Sequence, residues 1–312
     1  MFDKSDQIMT NPEPPTHSGP LFEAMMAEID NKLSRDGCPI ANRPLHAGRE
    51  ISVRYKIPMP IAVTDVKRLP PELRPYAPLS IAIGRWYNDT YGDRLKVDMC
   101  PGRTVVRLDG DLYVLKVPRI FGSVAFGVSR EFLPQPSSGR SPLRGNIIQL
   151  IEHMTPTKAS RLSEASLKAV EQTFLTALWA SYTLEATPHD LLHSARGDIA
   201  TAVTALMSDR GRFGESKWAS LQAAEKTLKA AIALQGGQFK FTHDLEKLSS
   251  GLEPLGVSLN APDLLTAIQC TPGIRYGEEP CTQDDALAAH AASLSLVNRV
   301  RDAGARFNSG LG

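Results

Sequence analysis

No two cysteines of this chain stand at C-x-x-C spacing. Its four, Cys38, Cys100, Cys270 and Cys281, are scattered and have no histidine at zinc-ligand spacing beside them. That pattern argues against a disulfide framework or a structural metal and fits reduced thiols in a cytoplasm. Charge of one sign is also lacking: Lys+Arg 35 against Asp+Glu 34 leaves a formal net charge of +1. No global field is therefore available to hold a polyanion by counterion release, which leaves only a local basic patch for that task. No apolar run approaches the roughly 18 residues of a membrane helix, and residues 1–20 have neither the basic start nor the apolar centre of a signal peptide. A cytoplasmic protein without a membrane partner is expected. The phosphate loops G-x-G-x-x-G and Walker A, the nucleophile elbow G-x-S-x-G and the zinc motif H-E-x-x-H are all missing, so no cofactor and no metal is expected.

What is present is ordinary globular composition, 42% apolar and 22% charged over 312 residues, enough chain for two domains. Residues 1–20, with Pro12, Pro14, Pro15 and Pro20 among polar neighbours, read as a flexible tail. Leu21 to Leu33 places Phe22, Met25, Met26, Ile29 and Leu33 at helical spacing. The stretches ISVRYKIPMPIAV from Ile51 and RTVVRLDGDLYVLKV from Arg103 are rich in β-branched residues and predict strands, the second folded into a hairpin at Asp109-Gly110. Between them PLSIAIGRWYNDTYGDRL predicts a helix ending near Gly92. Residues 21–150 thus read as an α+β domain, and LPQPSSGRSPLRG, 133–145, as a linker or exposed loop.

Beyond it helix signals dominate, and residues 160–305 read as an all-α antiparallel bundle. Ser163 is placed to cap a helix carrying Leu167, Val170, Phe174, Leu178 and Tyr182, and Thr187 one that begins at Pro188. Ser216 is placed to cap a third, with Leu221, Ala224, Leu228, Ala231 and Ile232 on its apolar stripe and Gly236-Gly237 at its end. Thr242 and Pro262 open short helices, and Thr282 with Asp285 opens the last.

The segments AAEKTLKAAIALQGG, THDLEKL and IRYGEEPCTQDDALAAH, in that order, resemble the HEPN domain family over about residues 187–305. The resemblance rests on Ala223 to Lys229, Thr242 to Leu245 and Arg275-Tyr276. It implies a compact helical bundle, often dimeric, found in ribonuclease toxins and antiviral factors and in non-catalytic members that bind nucleotides or partners. Catalytic members carry an Arg and a His separated by about four to six residues. None of the seven histidines here has an Arg that far ahead of it in the chain, and fourteen residues lie between Arg275 and His290.

Three readings follow. The leading one is a non-catalytic, dimeric binding module that recognises a nucleotide, an RNA segment or a partner protein, in a bacterial defence or regulatory system. The second is a metal-independent endoribonuclease that uses Arg275 with His290 or His243. The third is a purely structural subunit of a larger complex. For ligand contact the candidates are Arg275, Tyr276, His243, Lys226 and Lys229: Arg for a bidentate phosphate clamp, Tyr for stacking on a base, His243 near a helix start and the lysines on one helix face. Against these stand bland roles: an exposed Glu225–Lys229 pair, a locally capping His243, and an Arg275 that holds Asp284 or Asp285. His189 and His193, one turn apart, use a metal-site spacing without a third ligand. Trp86, Tyr87 and Tyr91 read as core.

Overall fold

The computed structural model describes residues 15–61, 63, 65–96, 100–134 and 143–308. The chain divides into two compact units, Met1–Asp98 and Met99–Gly312.

Three helices form the described part of the first unit: α1 (Pro20–Arg35), α2 (Arg43–Tyr55) and α3 (Ala77–Tyr91). Their buried faces meet in one core of Phe22, Met26 and Ile29 from α1, Ala47 and Ile51 from α2, and Leu79, Ile83 and Tyr87 from α3. Residues 51–55, expected as strand, are helical. Ala47 and Ile51 stand at i and i+4 and must face the same core, and this tertiary demand outweighs the strand preference of Ile and Val. The helix stops where Lys56 turns left-handed at φ 52°, ahead of two prolines. Tyr87 packs edge-on against Trp86 and stacks on Tyr91, as core aromatics do. A polar strut crosses this unit: Arg43 donates to Asp30 at 3.2 Å, to Ser34 at 3.2 Å and to the Cys38 carbonyl at 3.0 Å, while the Tyr91 hydroxyl donates to Asp30 at 2.5 Å.

The second unit opens with β1 (Gly102–Leu108) and β2 (Asp111–Val117), an antiparallel hairpin. Its turn follows from Asp109 and Gly110, at φ 51° and 98°, the two positive angles that a tight primed turn requires. The Asp109 carboxylate also accepts from Ser166 and Lys158. Strands β3 (Val124–Gly127) and β4 (Leu143–Asn146) pair in parallel as a second small sheet. After the short α4 (Pro156–Ala159) come α5 (Glu164–Ala186), α6 (Asp190–Leu206), α7 (Phe213–Leu234), α8 (Leu245–Ser250), α9 (Pro262–Ile268) and α10 (Gln283–Asp302). Strand β1 packs on α5, α6 and α10, and α7 packs along α6 and α10. One core joins Leu115 and Val117 of the hairpin to Phe174, Leu192, Leu221, Leu228 and Val297 of the helices.

Small sheets thus precede an all-helical C-terminal region, as expected, but the division of the chain does not fall near residue 150. It falls at Asp98/Met99, because the hairpin's apolar face is buried by helices of the second unit. Of the expected tail, residues 1–14 lie outside the described residues and Pro20 already belongs to α1. Of the expected linker, 135–142 lie outside them, and Leu143 to Gly145 belong to β4.

Several helix starts hold and others shift. Ser163 caps α5, and Thr282 with Asp285 forms a full capping box on α10. At α6 the cap is His189, whose Nδ1 accepts from the Leu191 amide, while Thr187 Oγ1 accepts from the Asn308 amide instead. Ser216 lies inside α7, buried, donating to the Ala202 carbonyl at 2.9 Å. Asp244 rather than Thr242 caps α8. At its far end α7 closes as expected: Gly236 turns left-handed at φ 83°, and Gly236 and Gly237 donate back to Ala233 and Ile232, satisfying two otherwise unpaired carbonyls.

Candidate functional site

Helix α7 carries Trp218, Gln222, Glu225 and Lys229 at intervals of four, three and four, which places them on one face. The chain leaves α7 at Gly237 and returns over this face as Phe239-Lys240-Phe241-Thr242-His243. Expected as an exposed pair, Glu225 and Lys229 are instead buried, 6% and 7% exposed. Lys229 Nζ donates to Glu225 Oε1 at 2.5 Å, and His243 Nδ1 meets Glu225 Oε2 at 2.6 Å. Both oxygens of one carboxylate are thereby engaged, so burial of the charge is compensated on each side.

The covering segment is open outward. The His243 side chain is 58% exposed and Phe241 97% exposed. Lys229 Nζ lies 5.7 Å from the Phe239 ring centre and 6.0 Å from that of Phe241, and His243 lies 5.7 Å from the Trp218 ring. Such distances suit a cation against aromatic faces. Lys240 is exposed, and among the described residues it has no acidic partner. The segment is fixed from below: Gln269 donates to the His243 carbonyl at 3.2 Å and accepts from the Leu245 amide at 3.0 Å.

Lys226 points the other way along α7 and donates to Asp198 of α6 at 2.5 Å. Burial raises the Asp198 carboxyl above its usual range, against the opposing hydrogen bond from Lys226. The two lysines singled out in the sequence are therefore already engaged by carboxylates. On this covering segment the basic side chains open to solvent are those of Lys240 and His243.

Arg275 and Tyr276 sit on a 3₁₀ turn, Pro272–Tyr276, that packs on α7. The approach is close: a Cβ on Gly214 would stand 2.1 Å from the Ile274 carbonyl oxygen. Both residues are exposed, Tyr276 to 72%, and the guanidinium lies 5.8 Å from the Tyr276 ring centre. The acidic groups offered to Arg275 by sequence are occupied elsewhere, Asp284 by Arg107 and Asp285 by Thr282.

His290 is fully buried beneath β1. Its Nε2 stands 3.1 Å from Thr104 Oγ1 and its Nδ1 has no partner. Burial pushes its pKa down to about 4, so at neutral pH the ring is uncharged and out of reach of an RNA phosphate. Of the histidines proposed for an Arg/His pair, only His243 is accessible. His189 and His193 border a cleft of about 560 Å³ with Glu185 and Arg196. Among the described residues no group of three or more His, Cys, Asp or Glu could hold a metal ion, and no helix is long and apolar enough to cross a membrane. The pair Phe239 and Phe241, flanking Lys240, went unread in the sequence. The alternation of aromatic and basic residues in QFKFTH was its signal.

No curated protein and no solved structure matches the chain. One family model does: residues 188–299, running from the turn before α6 into α10 and enclosing the whole Glu225–His243 arrangement, match the HEPN domain.

Proposed function

We propose that the HEPN region binds a single-stranded RNA segment or a nucleotide without cleaving it, along the strip Phe239–His243. The observation that carries this reading is the exposed alternation of aromatic and cationic groups held over a buried ion pair. Bases stack on aromatic faces irrespective of sequence, while cations track the phosphates between them. Phe241 supplies the stacking face, Lys240 the mobile charge, and His243, held by Glu225, an imidazole in a fixed pose. Arg275 and Tyr276, exposed and in mutual contact, supply a second place for a phosphate and a base. The net charge of +1 fits local rather than global attraction. The dimer and the defence or regulatory setting implied by the family resemblance belong to the same reading; light scattering tests the first.

Anisotropy of a short labelled oligouridylate, read beside a gel for intact RNA, tests the proposal. Wild type is expected to bind with RNA intact, and Phe241→Ala to weaken binding by roughly 1–3 kcal/mol, the value of one stacked base. Equal binding by wild type and Phe241→Ala would refute the site. A second reading rests on one specific contact: an imidazole oriented by a carboxylate is the arrangement of a general acid or base. RNA breakage that His243→Ala abolishes would establish that reading in place of the first.

A further inference from the structure

Glycine inside a helix is destabilising and needs a reason, usually a neighbour too close for a methyl group. Gly48 in α2 and Gly84 in α3 have no such neighbour, since a Cβ built on either meets nothing within 4 Å. What they border is empty space. Between them, within the first unit, lies a cavity of about 810 Å³. Its walls include Leu45, Met59, Pro60, Ile61, Ile81 and Ile83. Three of these are large apolar side chains left well exposed, Ile61 at 73%, Leu45 at 56% and Ile81 at 39%. Burial of such surface is favourable, so the groove is one that a suitable occupant would fill.

Among the described residues the one permanently charged side chain that lines this groove is cationic, Arg49. His46 and Arg49, one helical turn apart on α2, line it, and no Asp or Glu does. Neither has a hydrogen-bond or ion-pair partner among the described residues. Ser52 and Ser80, which also line it, already donate to the Ile57 and Pro60 carbonyls. The size falls within the roughly 300–1,000 Å³ of small-molecule sites, which combine apolar walls with a few oriented polar groups. We infer that the groove between α2 and α3 binds a small amphipathic monoanion, its acyl or flat apolar body against Gly48 and Gly84 and its acidic head on Arg49 and His46. This site is independent of the RNA-binding reading, because it lies wholly in the other unit.

Calorimetric titration of the full-length protein with decanoate, decanol and decyltrimethylammonium tests it. Decanoate is expected to bind, decanol about tenfold more weakly through loss of the ion contact, a step worth about 1.4 kcal/mol, and the cation more weakly still. Arg49→Gln should bring decanoate down to the affinity of decanol and leave decanol unchanged. Gly48→Leu and Gly84→Leu should abolish binding of both, with circular dichroism retained and melting unchanged or raised, since leucine is the better helix former. The proposal is overturned by absence of decanoate binding to wild type, by leucine variants that bind as well as wild type, or by a cation that binds as tightly as the acid. A wild-type dimer that Gly84→Leu dissociates would also overturn it, by showing that a second copy of the chain fills the groove.

Discussion

Among the described residues each unit buries one carboxylate–cation pair, and the two are built to opposite ends. Around Asp30 and Arg43, 7% and 8% exposed, the partners are fixed groups of the helices and their connection: Ser34, the Cys38 carbonyl and the Tyr91 hydroxyl. Around Glu225 and Lys229 the last partner is His243, more than half exposed, and the cation lies beneath aromatic rings that face water. A buried pair does not by itself stabilise a fold, because desolvation offsets much of the attraction. Its surroundings decide its role. With partners from α1, α2 and α3, it ties three helices into one arrangement; with an exposed imidazole as its last partner, it holds a side chain at the surface in a fixed pose.

The largest effect expected from breaking this contrast is at the Asp30–Arg43 pair. Arg43→Met leaves Asp30 buried and uncompensated and should cost about 3–5 kcal/mol, most of it recovered in the Arg43→Met, Asp30→Leu double variant. Chemical denaturation followed at Trp86 would measure it. Failure of the double variant to recover would show that Arg43 serves packing rather than charge.

Next in size is the response to acid in the second unit. His290 must stay uncharged where it is buried, with a pKa of about 4 against an ordinary 6.5. Between those values the unfolded chain binds the extra proton and the folded chain does not, so stability is full above pH 6.5 and falls as the pH drops toward 4. The loss amounts to roughly 3 kcal/mol. Hydrogen exchange of α10 amides across this range should show it, and His290→Asn should flatten the slope. An unchanged slope in that variant would assign the acid response to other groups.

At the Glu225–Lys229 pair Glu225→Gln should cost less than the loss of Arg43, about 1–3 kcal/mol, because water reaches one side of the cluster. A cost equal to that of Arg43→Met would erase the distinction between the two sites. Smaller still are the exposed groups. Phe241→Ala and Arg275→Ala should each change stability by less than about 0.5 kcal/mol. Lys240→Ala should lower the slope of RNA affinity against salt by about one phosphate contact while melting stays put. A melting loss in any of the three would mark that side chain as structural.

Local signals in the sequence proved legible wherever the physics is local. The Thr282–Asp285 box, the Asp109-Gly110 turn and the Gly236-Gly237 ending each depend on a few neighbouring residues, and each appears where the sequence places it. The helical identity of 51–55 was not legible, because it is decided by Ala47 and Ile51 facing α1 and α3. The division of the chain was hidden for the same reason: strands 102–117 belong with helices that lie far beyond them in sequence. At the site the Glu225–Lys229 spacing was readable but its burial was not. Burial there follows from the return of residues 239–243 over α7, a path set by Gly237 and by Gln269 more than twenty residues later.

The meeting of Gly214 with the Ile274 carbonyl carries a lesson for anyone who re-engineers this scaffold. Because main chain rests directly on main chain there, the shelf bearing Arg275 and Tyr276 keeps its height regardless of what those two positions display. Libraries that randomise the shelf should therefore retain its placement, whereas a single methyl group added at residue 214 would lift the whole display surface off the helix.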